Sequence, residues 1–282
     1  MTQLTTLFVE TLSTIDFAYL HPKRGIVGES LIIDIALTGK LDETGMIYDF
    51  NHVKKTIKSA IDHLADHQFL IPAQADNIHI EYQADQLILT GHYGKNTFRH
   101  KSPRQAVALI PATEVTPESI TNYLHAQLKP QLPPNILALD LRLYPETING
   151  AYYHYSHGLK FHDGNCQRIA HGHRSKILIY RNRQHDPELE KAWAARWKDI
   201  YIATRVDLKN NPDAKQYHFA YQSQQGVFEL DIPADQVELI NEETTVENIT
   251  RFIAQTIKAE YPTDEITVKN YEGLNKGAIV TL

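Results

Sequence analysis

At 282 residues, with 42% apolar and 22% charged side chains, the chain has the balance of a soluble globular protein with enough length for one large or two ordinary cores. Its net charge of -6 argues against broad nucleic-acid binding, and a lone cysteine rules out an intrachain disulfide framework, which fits a reducing compartment. No run of about 18 apolar residues exists and the first residues form no basic segment ahead of an apolar core, so a cytoplasmic protein with no membrane span is expected.

In chain order, strand-like runs fall at about 7–19 and 30–39, followed by a helical pattern at about 51–64. Strands at about 77–91 and 136–146 enclose a helix at about 117–129. The second half predicts strands at about 151–161, 173–181, 199–207, 217–231 and 265–272, with helices at about 187–198 and 246–259. Thr116-Pro117-Glu118 and Thr245-Val246-Glu247 are capping signals for the second and fourth helices. Pro133-Pro134 and the run from Asn210 to Asp213 predict turns. Strands and helices segregate rather than alternate, so the expected class is α+β.

Chemistry concentrates between residues 157 and 173. In a strand, His171 and His173 point to one face, and Gly172 between them adds no bulk. If the flanking segments pair as an antiparallel hairpin centred on Asp163-Gly164-Asn165, His157 stands opposite His171, with Cβ atoms about 4.5–5.5 Å apart. A metal can bridge such a pair, His173 completing three imidazole ligands and leaving one open position, with Cys166 placed as base or nucleophile. Spacing alone leaves two accounts open. Fifteen histidines give chance clusters that stay solvated, and a lone cysteine is commonly a small buried hydrophobe.

Three segments resemble the family of 6-pyruvoyl-tetrahydropterin synthase and 6-carboxytetrahydropterin synthase. Gly45-Met46-Ile47-Tyr48-Asp49-Phe50, the helix after it and Asp66-His67 form one; His157, Cys166 and His171-Gly172-His173 another; the strand from Arg142 through Glu146 the third. The order is not that of one family domain, since Asp66-His67 precedes His171-Gly172-His173. The resemblance therefore implies two tandem tunnelling-fold (T-fold) domains, 1–150 and 151–282, each an antiparallel four-stranded sheet with two helices on one face. In the first, Ile26-Val27-Gly28-Glu29-Ser30 takes the zinc-hairpin place, so Val27 and Glu29 replace two ligands. The second keeps the hairpin and lacks Asp-His. Glu118 to Glu146 spans 28 residues and Glu247 to Glu272 spans 25, internal support for a repeat.

What the resemblance implies is a zinc-dependent lyase acting on 7,8-dihydroneopterin triphosphate and assembled as a homo-oligomer. It would take Zn2+ on His157, His171 and His173, Cys166 as base, Asp66 and His67 as the relay, and Glu146 as the pterin anchor. The anchor is expected from the half that supplies His67, which puts Glu272 at the opposite junction. A triphosphate would need positive charge from residues such as Lys160, Arg168, Arg174 or Lys176. Four residues separate Cys166 from His171, against three in the carboxy-forming and five in the pyruvoyl-forming enzymes, so the product stays open. A non-catalytic pterin- or purine-binding protein of the same fold is the alternative.

Overall fold

A computed structural model describes residues 4–282. The first half runs β1 (Thr5–His21), β2 (Gly25–Gly39), α1 (Phe50–His52), a π-helical stretch (Val53–Ile57), α2 (Lys58–Ala65), β3 (Phe69–Pro72), β4 (Ile78–Gln83), β5 (Gln86–Tyr93), β6 (Asn96–Pro103), β7 (Val107–Ile110), α3 (Pro117–Leu128) and β8 (Ile136–Tyr144). The second runs β9 (Tyr152–His157), β10 (His171–Arg181), β11 (Gln184–His185), α4 (Pro187–Arg196), β12 (Ile200–Thr204), β13 (Gln216–Ser223), β14 (Gly226–Pro233), β15 (Val237–Ile240), α5 (Val246–Glu260), β16 (Ile266–Tyr271) and β17 (Gly277–Thr281).

The α+β class holds, and the sheets differ from the expected four antiparallel strands. One sheet has the order β7-β3-β1-β2-β8 and another β15-β12-β9-β10-β16-β17. In each, an antiparallel core is extended on one side by two strands that pair in parallel. A third sheet, β13-β14-β6-β5-β4, takes strands from both halves and closes through antiparallel pairing of β14 with β6. The run expected as one strand at 77–91 is a hairpin, because Ala84 adopts φ 50° and turns the chain. The run at 217–231 folds into a second hairpin, turning at Gln224-Gln225 just ahead of Gly226, whose φ of 132° suits glycine. The short apolar strand β7 escapes a periodicity reading because four residues are too few to show alternation.

Helices lie on one face of each outer sheet. On β2, Leu31, Ile33, Ile35 and Leu37 alternate inward and meet Val53, Ile57, Ile61, Ile120 and Leu124 from the two helical segments. In the second half Ile249, Ile253 and Ile257 recur one turn apart on α5 and pack with Tyr153, Ile177 and Trp197. Truncating one such buried isoleucine to alanine costs about 2–5 kcal/mol. Thr116 and Thr245 cap α3 and α5 as their sequences predict, with Ser119 rather than Glu118 closing the first box.

The hairpins β1–β2 and β9–β10 meet at two glycines. A Cβ on Gly172 would lie 2.6 Å from Cα of Gly28 and 2.3 Å from the Tyr155 carbonyl oxygen. Neither position has room for a side chain, so the main chains approach directly.

Candidate active site

Register sets the site. His157 ends β9 directly opposite His171, the first residue of β10, and His173 follows two residues on against Tyr155. The three rings are buried, with centroids 4.4 Å (His157–His171), 5.4 Å (His157–His173) and 5.7 Å (His171–His173) apart. Nδ1 of His157 lies 2.9 Å from the Thr244 carbonyl oxygen, and Nδ1 of His171 lies 2.9 Å from that of Arg168. A carbonyl only accepts, so each Nδ1 carries the proton and each Nε2 is left with its lone pair. The Nε2 atoms of all three histidines are buried with no hydrogen-bond partner, and one nitrogen from each ring falls within 4.8 Å of the others. Burial, then the charge of neighbouring imidazoles, holds His157 and His171 well below the usual histidine range, in the neutral form that coordinates. Carbonyls that fix Nδ1–H of His157 and His171, beside three buried and unpartnered Nε2 atoms, give the donor arrangement of a three-histidine metal site.

Cys166 does not sit at the tip of a simple hairpin. The chain from Gly158 to Ala170 folds back through a 3-10 turn at Asn165–Gln167, held by Leu159 N–H donating to the Cys166 carbonyl (2.8 Å) and Tyr221 Oη donating to the Gln167 carbonyl (2.8 Å). This brings Cys166 to His67: the sulfur, a His67 ring nitrogen and a His171 ring nitrogen lie within 4.8 Å of one another. His67 belongs to the first half, so one chain builds the cluster from both halves.

His67 is aimed by its neighbours. Asp66 ends α2, and His67 itself takes φ 53°, a left-handed conformation uncommon for a side chain with Cβ and characteristic of strained functional positions. Its N–H donates to the Asp16 carbonyl at 2.7 Å, and its Nδ1 contacts Asp66 Oδ2 at 2.7 Å. Burial disfavours charge on this ring, but contacts with Asp66 and Cys166 outweigh it and push its pKa up to about 10. The imidazole faces Cys166 and His171 of the other half.

The two glutamates divide differently from expectation. Glu272 directly follows β16, which pairs with the ligand-bearing strand β10, and its carboxylate lies 3.9 Å from His173 Nε2. Glu146 lies just past β8, which pairs with β2 of the hairpin lacking histidines; its main-chain carbonyl accepts from Arg174. Of the basic residues, Lys160 is held by Asp207 (2.8 Å) and Glu243 (2.9 Å), Arg174 stacks on Tyr152, and Lys176 lies over Tyr271. Arg168 donates to Gln225 and to the His67 carbonyl. Lys276 and Asp16, which no spacing signalled, reach the cluster: Lys276 Nζ lies 3.3 Å from Asp16 Oδ2.

The other junction holds the same frame with different chemistry. By register, Tyr19, Val27 and Glu29 stand where His157, His171 and His173 stand. Asp199, at φ 58° two residues ahead of the position matching Phe69, takes the His67 place and pairs with Arg24. Burial pushes the Glu29 carboxyl up to about 7 against the pull of Ser30 N–H, Arg174 and Arg24. A carboxyl raised on folding destabilises progressively as pH climbs through the interval between its unfolded and folded values. Glu29→Gln should therefore leave Tm unchanged near pH 4.5 and raise stability above pH 7 by about 2–3 kcal/mol, read by thermal melts at both pH values.

Residues 18–155 match the family model described as 6-pyruvoyl tetrahydropterin synthase. The match includes Asp66, His67 and Glu146 and ends within β9, ahead of His157, Cys166, His171 and His173. Two curated relatives, each described as a putative 6-carboxy-5,6,7,8-tetrahydropterin synthase, from Pyrococcus abyssi and Pyrococcus horikoshii, are 23% identical over 132 residues, 47% of this chain and 76% of each relative. A catalytic-residue mutant of Plasmodium vivax 6-pyruvoyltetrahydropterin synthase is similar at 19% identity and TM-score 0.40, covering 50% of this chain and 91% of its own. The Plasmodium falciparum 6-pyruvoyl tetrahydropterin synthase gives 17% and 0.37, covering 50% and 90%.

Proposed function

From the premise that this chain belongs to the 6-pyruvoyl tetrahydropterin synthase family of pterin synthase-type lyases, we propose that it is a zinc-dependent lyase acting on 7,8-dihydroneopterin triphosphate. The observation that carries this reading is the meeting of Cys166 with His67 beside three imidazoles whose Nε2 atoms converge. We assign 1–150 and 151–282 as tandem T-fold copies, the first supplying the relay and the second the metal ligands; the matching strand orders of the two outer sheets support this.

His157, His171 and His173 would hold the ion through Nε2. Zinc, when bound, supplies a Lewis acid that draws electron density from the substrate's side-chain hydroxyls and acidifies the adjoining C–H bonds. Cys166 accepts the proton from carbon. A protonated His67 beside it stabilises the thiolate, and Asp66 keeps the ring oriented with charge on it. We assign the guanidine-like edge of the pterin to Glu272 rather than Glu146, because its carboxylate lies 3.9 Å from His173 Nε2 and would accept paired charge-assisted hydrogen bonds there. The outer edges of β8 and β17 have no strand partner among the described residues, which supports a homo-oligomer joined at those edges.

The test is incubation of the purified protein with 7,8-dihydroneopterin triphosphate, mass identification of the product and elemental analysis. We expect a pyruvoyl- or carboxy-tetrahydropterin and one zinc per chain, because Tyr19, Val27 and Glu29 cannot replace three imidazoles. A second zinc per chain, or no pterin product from zinc-loaded protein, would overturn the assignment.

Parallel kinetics separate the glutamates. Glu272→Gln should weaken pterin binding by roughly 2–5 kcal/mol, on the order of a hundredfold or more, with a smaller effect from Glu146→Gln. The opposite ranking in pterin titrations would return the anchor to Glu146 and the other junction.

A further inference from the structure

Two of the three imidazoles are oriented by carbonyls of their own half, Thr244 for His157 and Arg168 for His171. His173 has no carbonyl in that place. Its Nδ1 instead lies 3.3 Å from Oδ1 of Asp16, a residue of β1 in the half that bears no imidazole ligand. We propose that Asp16 is the positioning residue for His173, orienting the ligand from across the junction; this rests on the zinc assignment above.

Asp16 is built for a fixed role. It is 4% exposed, its carboxylate accepts from Ser30 Oγ at 2.5 Å and lies 3.3 Å from Lys276 Nζ, and Gly273, at φ 69°, presses on it so closely that a Cβ there would sit 2.5 Å from Oδ1. Ser30 is itself tied to the ligand strand, since its Oγ accepts from Arg174 N–H at 3.1 Å. The main chain of Asp16 does a second job: its N–H donates to Asp66 Oδ1 (2.8 Å) and its carbonyl accepts from His67 N–H (2.7 Å). One residue thus faces a metal ligand with its side chain and holds the relay pair with its backbone. A carboxylate on the far nitrogen of a ligating histidine sets the tautomer, aims the ring and raises its basicity.

The other junction keeps the pairing with its partners exchanged. The position matching Asp16 is His154, whose Nδ1 lies 3.7 Å from Glu29, the residue in the His173 place. There His154 donates to the Gly28 carbonyl at 2.7 Å, so an acid and an imidazole meet across the hairpins whichever strand supplies which.

The experiment measures zinc affinity by competition with a chromophoric chelator, Co2+ absorption spectra and apo-protein Tm for the full chain, Asp16→Asn and Ser30→Ala. Asp16→Asn keeps the shape and removes the charge; it should weaken zinc on the order of ten- to a hundredfold and change the Co2+ ligand-field bands. Ser30→Ala, which frees the carboxylate without removing it, should weaken zinc severalfold. A purely structural Asp16 would lower apo-protein Tm and leave zinc affinity and the Co2+ spectrum as in the wild type, and that result overturns the proposal. If Asp16→Asn does not fold, unchanged zinc affinity in Ser30→Ala is the overturning result. Failure of the wild type to bind zinc at all would instead reject the metal assignment.

Discussion

Cys166→Ala should lose between about a hundred- and ten-thousandfold in turnover while still carrying its metal. On the proposed mechanism the thiol takes the proton from the substrate beside an imidazole that Asp66 keeps charged, and an alanine methyl offers no acceptor. Metal retention is expected because three buried imidazoles, two of them with Nδ1 fixed by carbonyls, offer a full set of protein ligands without the sulfur, which lies on the His67 side of the cluster. Elemental analysis beside steady-state rates decides it. A variant that loses zinc together with activity would make Cys166 a ligand and remove it from the proton path.

Gly28→Ala should disable the protein without touching any reactive group. Its Cβ would lie 1.9 Å from the Tyr155 carbonyl oxygen and 2.6 Å from His173 N, both main chain and both locked in ladders. Such a contact is relieved only by parting the hairpins, which moves Asp16 and His67 away from the imidazoles. Overpacking of this kind costs about 3 kcal/mol or more, a fall in Tm on the order of 10 °C, with turnover lost in the fraction that folds. Gly164→Ala is the control, because its nearest neighbour is the ring of His162, 3.1 Å away and free to turn. Equal melting temperatures for the two variants would show that the hairpin contact is not tight.

Much of this site was legible because its parts obey local rules. The pairing of His157 with His171 follows from the period of a strand, and the helix caps from short motifs. What escaped was long-range. That Cys166 folds back onto His67 depends on a loop pinned by Tyr221 and Gln225, residues more than fifty positions away that no spacing connects to it. Asp16 reads as an ordinary polar residue in a strand until the second hairpin lies against it. The proposed reassignment of the pterin anchor from Glu146 to Glu272 has the same origin: each follows a strand whose partner is set by sheet order, and sheet order is invisible to motif spacing. The third sheet was missed because half of it comes from each part of the chain.

That shared sheet also governs how the chain can fold. Arg99 and Glu229, joined across β6 and β14, are 130 residues apart in sequence. The long-range pairings of the outer sheets, such as Ile32 with Tyr144 and Ile177 with Asn270, stay within one half, whereas the pairing of β6 with β14 joins the halves and must close a very long loop before it repays the entropy. A nascent first half leaves the ribosome with the edge of β6 unsatisfied, a surface that attracts foreign strands until its own partner has been synthesised. The shared sheet therefore ties the two halves together, and its closure waits until β14 has been made.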